Sequence, residues 1–152
     1  MAKMVYTQIQ VLELRKRLQM VKRKGAFAIY MDLCNPDSVD VLQSKRQTGR
    51  GEDLLMRDLN IAAWIPDHFM RLVKTNGTFH FLNPHRCPGI TDVYGDAWEK
   101  LYQKYVDEGR ASGSMAAQEL FMLLMDAIID GGQPYIQFKD RANQDRKSTR
   151  LN

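Results

Sequence analysis

Three consecutive cations and a glycine, Lys22-Arg23-Lys24-Gly25, stand immediately before the apolar run Ala26-Phe27-Ala28-Ile29-Tyr30. Cations and a glycine in a loop at a strand edge can hold a phosphate or read a nucleotide base. The same four residues also fit a solvated basic turn, and composition leaves both readings open. The other reactive side chains are scattered. Among His68, His80, His85, Cys34 and Cys87, only His85 and Cys87 are close in sequence. One such pair is not a zinc site, because a closed site needs four ligands. Cys87 lies between Arg86 and Pro88 with no flanking signature of a nucleophilic cysteine. Asp67 and His68 are adjacent, so on a helix they point in different directions and cannot pair directly as acid and base. There is no Gly-x-Gly-x-x-Gly fingerprint and no Walker A motif, and the Gly49-Arg50-Gly51 turn is too short to be diagnostic. Spacing therefore assigns no catalytic residue and no metal ligand.

The elements that would position these residues follow from hydrophobic periodicity. Val5, Ile9 and Leu12 share one face of a helix predicted over 4–20, whose second half is basic. Gly25–Tyr30 reads as a buried strand. Asn35-Pro36 suits an N-cap with proline at the first helical position, followed by a short helix carrying Val39, Val41 and Leu42. Residues 44–53 read as a loop. A strand ending near Trp64 precedes a helix from Pro66 to Thr75, with Phe69, Met70 and Val73 on its core face and Asn76-Gly77 as its stop. Residues 78–82 form a short strand, and Asn83 to Gly89 a rigid loop. Tyr94, Trp98, Leu101, Tyr102 and Tyr105 mark one helix closed by Gly109. A second helix, which Ser114 can cap, carries Leu120, Phe121, Leu124, Met125 and Ile128 and closes at Gly131-Gly132. Pro134–Phe138 is a last strand. Alternating strands and helices predict an α/β fold with parallel neighbours. About four strands without a closing partner would leave edges open, as in a part of a larger sheet.

The chain has 152 residues, 44% hydrophobic and 26% charged, which suits one folded domain and excludes wholesale disorder. No apolar run approaches the roughly 20 residues of a membrane helix. The first residues lack the layout of a signal peptide. Two cysteines are too few for a disulfide scaffold and fit a reducing, cytoplasmic setting. The net charge of +4 is unevenly spread. Residues 1–24 hold seven Lys/Arg and one Glu, residues 139–152 hold five Lys/Arg and two Asp, and the stretch between them is net −5. The basicity lies at the two ends, outside the part patterned like a core, which argues against a nucleic-acid-binding surface on the folded part.

Taken in order, several blocks resemble the large catalytic (alpha) subunit of ribonucleotide reductase. They are Lys22-Arg-Lys-Gly-Ala-Phe-Ala-Ile-Tyr30, Arg57-Asp-Leu59, Ala63-Trp-Ile-Pro-Asp-x-Phe-Met70 and Cys87-Pro-Gly89. Tyr94-Gly95, Glu99-Lys-Leu-Tyr102, Tyr105 and Pro134-Tyr-Ile-x-Phe-Lys-Asp140 followed by Asn143 continue the series. The resemblance covers residues 21–144. It implies that residues 22–144 are an internal segment of a ten-stranded α/β barrel that reduces ribonucleotides to deoxyribonucleotides by thiyl-radical chemistry. It further implies ribonucleotide substrate, ATP or deoxynucleotide effectors, a radical-bearing small metal-containing subunit and a homodimer of large subunits. No cofactor, membrane or nucleic-acid partner is implied for this segment. Lys22, Arg23 and Lys24 fall at the end of the loop that, in the family, carries the effector signal to the substrate base, with Arg23 contacting substrate or effector.

The departures are specific. No block of residues 1–20 resembles the family, and Gln19-Met20-Val21 stands where a glycine-rich loop should begin, so residues 1–21 are expected to be an unmatched basic N-terminal helix. Leu33-Cys34-Asn35 replaces the usual Trp-His pair. The family's radical cysteine lies in an Asn-x-Cys-x-Glu stretch, and neither Cys34 nor Cys87 is in one. Asp145–Asn152 reads as an appended tail derived from a sequencing adapter. The expectation is an inactive fragment of a reductase. The alternatives are a piece of a cobalamin-dependent reductase and a small basic nucleic-acid-binding module gripping with both ends.

Overall fold

Apolar runs separated by polar turns become three parallel strands in the computed structural model, which describes residues 28–44 and 60–148. The elements are β1 (Ala28–Asp32), α1 (Ser38–Ser44), β2 (Asn60–Ile65), α2 (Asp67–Thr75), β3 (Thr78–Phe81), α3 (Gly95–Asp107), β4 (Gly113–Ala116), α4 (Ala117–Gly131), β5 (Tyr135–Phe138) and α5 (Lys139–Ser148). The main sheet has the order β1-β2-β5 and is parallel throughout. Its register pairs Asp32 with Trp64 and Trp64 with Gln137, so these three residues share one face at the carboxyl end of the sheet. Alternation sends Ala63 and Ile65 to the other face, where they join the buried core. Helix α4 packs against both α1 and α2. Its Leu120, Leu124 and Ala127 are fully buried.

The strand-helix alternation expected of an α/β fold is present, with one correction to the sheet. Thr78–Phe81 does not join the parallel strands. It pairs antiparallel with Gly113–Ala116, placing His80 opposite Ser114. Ser114 therefore lies in a strand and is not a helix cap. Helix α4 begins three residues later behind Ala116, with no side-chain cap. Backbone pairing with a partner 34 residues away decides the conformation at Ser114 and overrides the local cap signal.

Smaller corrections concern helix starts. The helix after β1 begins at Ser38, not at Pro36. Asn35 Oδ1 accepts the Asp37 N–H at 3.0 Å, and this Asx turn delays the helix by two residues. Pro66 is extended (φ −76°, ψ 149°) and stands just before α2, not inside it. At the far end of α2 the left-handed position belongs to Asn76 (φ 52°), and Gly77 follows it, donating its N–H to Leu72 O at 2.9 Å. Gly109 (φ 68°) and Gly132 (φ 70°) end the next two long helices as read from the sequence. Helix α5, over Lys139–Ser148, has no apolar stripe to announce it in the sequence, and it runs past Gln144. The predicted 4–20 helix, the 44–53 loop beyond Ser44 and the start of the Gly25–Tyr30 strand lie outside the described residues.

Aromatic side chains dominate the core. Phe79 packs edge-on to Phe69 and Phe81 and stacks on Tyr102, which in turn stacks on Trp98 at 4.8 Å. The Tyr102 hydroxyl accepts the His80 N–H at 2.7 Å and donates to His80 O at 3.3 Å, so α3 grips the middle of β3. The Tyr105 hydroxyl donates to Pro88 O at 2.8 Å and fixes the loop before α3.

Candidate functional site

The carboxyl ends of parallel strands are where α/β proteins gather ligands and reactive groups. Here an open cleft of about 480 Å³ lies at that end, lined by Tyr30, Asp32, Trp64, Thr91, Gln137 and Lys139. Tyr30 and Trp64 meet edge to face with ring centroids 6.0 Å apart.

The polar centre of the cleft is the pair formed by Lys139, just past β5, and Asp32, at the end of β1. Lys139 is buried, with its side chain 3% exposed, and its Nζ lies 3.0 Å from Asp32 Oδ2. The same ammonium sits 5.6 Å from the Trp98 ring centroid, on the electron-rich face. Asp32 Oδ1 accepts the Cys34 N–H at 3.1 Å, so both carboxylate oxygens are engaged. Asp140, 4% exposed, turns the other way. Its Oδ2 accepts the Asp67 N–H at 2.7 Å and its Oδ1 accepts the Gly95 N–H at 2.6 Å. Those two amides are the first residues of α2 and α3, where helix N–H groups have no partner within the helix and the dipole favours an anion. One dipeptide thus ties together the end of β1, the start of α2, the start of α3 and the Trp98 ring.

Lys22, Arg23 and Lys24 lie outside the described residues. In chain order they precede the amino end of β1, whereas the cleft is at its carboxyl end. Among the residues that sequence spacing had set aside, His68 does not turn to Asp67. Its Nδ1 lies 2.9 Å from Glu99 Oε1, and Arg71 pairs with the other oxygen of the same carboxylate. The His85 N–H bonds Asn83 Oδ1 within the loop. Cys87 is fully buried. Burial pushes the Cys34 thiol up to about 12, with the Asp32 carboxylate adding to the effect. A thiol held protonated in this way is a poor nucleophile. Among the described residues no group of three or more His, Cys, Asp or Glu could hold a metal ion, and no helix is long and apolar enough to cross a membrane.

The Lys139-Asp140 site was not singled out by spacing. Asp32 and Lys139 are 107 positions apart, and no local pattern announces such a pair. The available signal was Lys139-Asp140 standing at the end of the Pro134–Asp140 block.

Comparison with known proteins places the chain. Residues 12–152 match the family model described as ribonucleotide reductase, barrel domain. The chain is 44% identical over 131 residues to a ribonucleoside-diphosphate reductase large subunit of Danio rerio, covering 86% of this chain and 16% of that protein. It is 42% identical over 131 residues to the large chain of Neurospora crassa, covering 86% and 14%. The large subunit of Arabidopsis thaliana is 39% identical over the same length, covering 86% and 16%. The chain spans about one-sixth to one-seventh of the length of these relatives. By the extent of these matches, the chain belongs to the ribonucleotide reductase barrel-domain family.

Proposed function

We propose that this chain is a wall segment of the ten-stranded barrel of a ribonucleoside-diphosphate reductase large subunit. The whole protein would reduce ribonucleotides to deoxyribonucleotides by thiyl-radical chemistry and supply DNA synthesis in the cytoplasm. The observation that carries this reading is identity of 42–44% over 131 residues to proteins bearing that name. The parallel order β1-β2-β5, with helices packed on one face, accords with a barrel wall. The same identity favours this reading over a small basic nucleic-acid-binding module.

Within that reading the segment has a supporting and a signalling part. The Lys139-Asp140 dipeptide holds the strand and helix ends that frame the cleft. Lys22, Arg23 and Lys24 would end the loop through which an ATP or deoxynucleotide effector influences the choice of substrate base, with Arg23 in contact with substrate or effector. Guanidinium suits that task because its planar fork matches phosphate and base acceptors. The radical would come from a small metal-containing subunit, and two large subunits would pair. Neither cysteine of this chain lies in an Asn-x-Cys-x-Glu stretch, so the chemistry would be done by residues elsewhere in the whole protein.

The test is an assay of the full-length protein with a radical-bearing small subunit, a dithiol reductant and a ribonucleoside diphosphate. Turnover is expected, and Arg23→Ala should blunt the effector-dependent preference among substrates. Unchanged preference in Arg23→Ala would remove the role given to the basic loop. Turnover supported by adenosylcobalamin without a small subunit would move the protein to the cobalamin-dependent branch. The 152-residue chain alone should reduce no nucleotide under any of these conditions, and detectable turnover would overturn its reading as a wall segment.

A further inference from the structure

The ion pair in the cleft joins two strands that are not neighbours. β1 and β5 lie on opposite sides of β2, and the register Asp32↔Trp64↔Gln137 runs across all three. Lys139 is the first residue after β5, and its ammonium reaches back over Trp64's strand to Asp32 at 3.0 Å. Both partners are fixed from behind: Asp32 by the Cys34 N–H, Lys139 by the Trp98 ring. Asp140 continues the line by holding the first amides of α2 and α3.

Such a pair is an inefficient source of stability. Removing an ammonium and a carboxylate from water costs about as much as their attraction returns, and an apolar pair of similar volume commonly holds a fold as well or better. Apolar packing, however, is non-directional, whereas a charge-assisted hydrogen bond fixes a distance and an angle. The pair lies at the carboxyl end of a parallel sheet, where the spacing of strand ends sets the geometry of anything built there.

Resting on the reductase reading above, we infer that Lys139 and Asp32 are a positioning pair: a strut of fixed length that sets the separation of the ends of β1 and β5. It thereby sets the width of the cleft between Tyr30, Trp64 and Gln137. Neither residue acts on the reacting atoms directly. They act through the strand ends, whose displacement by 1 Å is enough to cost an enzyme about a hundredfold in rate.

The experiment uses the full-length protein with the double substitution Asp32→Leu/Lys139→Met, which replaces the pair by apolar side chains. The expected result is a melting midpoint near that of the unsubstituted protein and a kcat lowered by roughly tenfold or more. Lys139→Arg with Asp32 intact keeps the charge and the bond and should recover most of that loss. Full turnover in the double variant would overturn the inference, as would a fall in kcat matched by loss of the folded state, or failure of Lys139→Arg to do better than the double variant. Amide hydrogen exchange at the ends of β1 and β5 is read in parallel and is independent of activity. It should quicken severalfold in the double variant while the midpoint holds, and unchanged exchange would overturn the strut. If the unsubstituted protein reduces no nucleotide, the reductase reading fails while the exchange result still decides the strut.

Discussion

The two sheets among the described residues are finished to different degrees. The small antiparallel sheet is closed by its own neighbours. Phe69 and Phe79 have no solvent exposure, Phe81 and Tyr102 have almost none, and Tyr102 satisfies both backbone groups of His80. In the parallel sheet only the central strand is covered: Ala63 and Ile65 are buried, but on the same face Ile136 and Phe138 of β5 are 37% and 45% exposed. On the other face Tyr30 is 60% and Tyr135 55% exposed. Apolar burial holds the first region together, whereas directional bonds from Lys139 and Asp140 carry much of the order in the second. A large aromatic core should lose stability on any truncation, while the open sheet should lose the alignment of its strand ends at those bonds and be indifferent elsewhere.

The sharpest test of that contrast is Phe79→Ala. It should destabilise the chain by about 4 kcal/mol, as large-to-small changes at fully buried aromatics do, and chemical denaturation reads it directly. Asp140→Ala should follow at about 2 kcal/mol, because it strands two half-buried amides that now donate to a carboxylate. Hydrogen exchange at Asp67 and Gly95 should accelerate most, and equal acceleration everywhere would argue that Asp140 has no local role. Asn76→Ala should cost about 1 kcal/mol, the penalty for an ordinary side chain in the left-handed region. Tyr30→Ser, on the open face, should change stability by no more than about 0.5 kcal/mol. A loss comparable to that of Phe79→Ala would mean the two regions are not different in kind.

Alkaline pH offers a further discriminator. The Cys34 thiol is held near 12 in the folded chain against an ordinary 9.0, by burial first and Asp32 second. Above about pH 9 the unfolded chain releases this proton and the folded chain does not. Stability is therefore fully present below pH 9 and falls as pH rises toward 12. Cys34→Ser should flatten this dependence, and an unaltered profile would place its origin elsewhere. Tyr102, also raised chiefly by burial, adds a loss of the same sign at still higher pH.

Much of the architecture was legible because its signals are local. The strand ending near Trp64, the stop at Asn76-Gly77, the Tyr94–Tyr105 stripe and the Gly132 close all depend on residues within a few positions of one another. The errors share a cause as well. Ser114 carries a cap signature, yet its backbone serves a strand whose partner, His80, is distant in sequence. Asn35 keeps its turn-forming habit but spends it one turn before the helix. Lys139 and Asp140 have partners 107, 73 and 45 positions away, so neither periodicity nor spacing could reveal them. The family resemblance supplied the Lys139-Asp140 block but not what it holds, and the basic loop that the sequence favoured lies outside the described residues.

The insertion of β5 beside β2 has a consequence for the chain as it is made. Asp67, just past β2, and its partner Asp140 are separated by 73 residues. At about 5–20 residues per second, a ribosome needs roughly 4–15 seconds to cross that interval. Throughout it, the edge of β2 that will receive β5 has its N–H and C=O groups unpaired. The nascent chain thus carries an open sheet edge for seconds, a template for a wrong strand. The length of that exposure is set by the order of the strands along the chain and not by the stability of the finished protein.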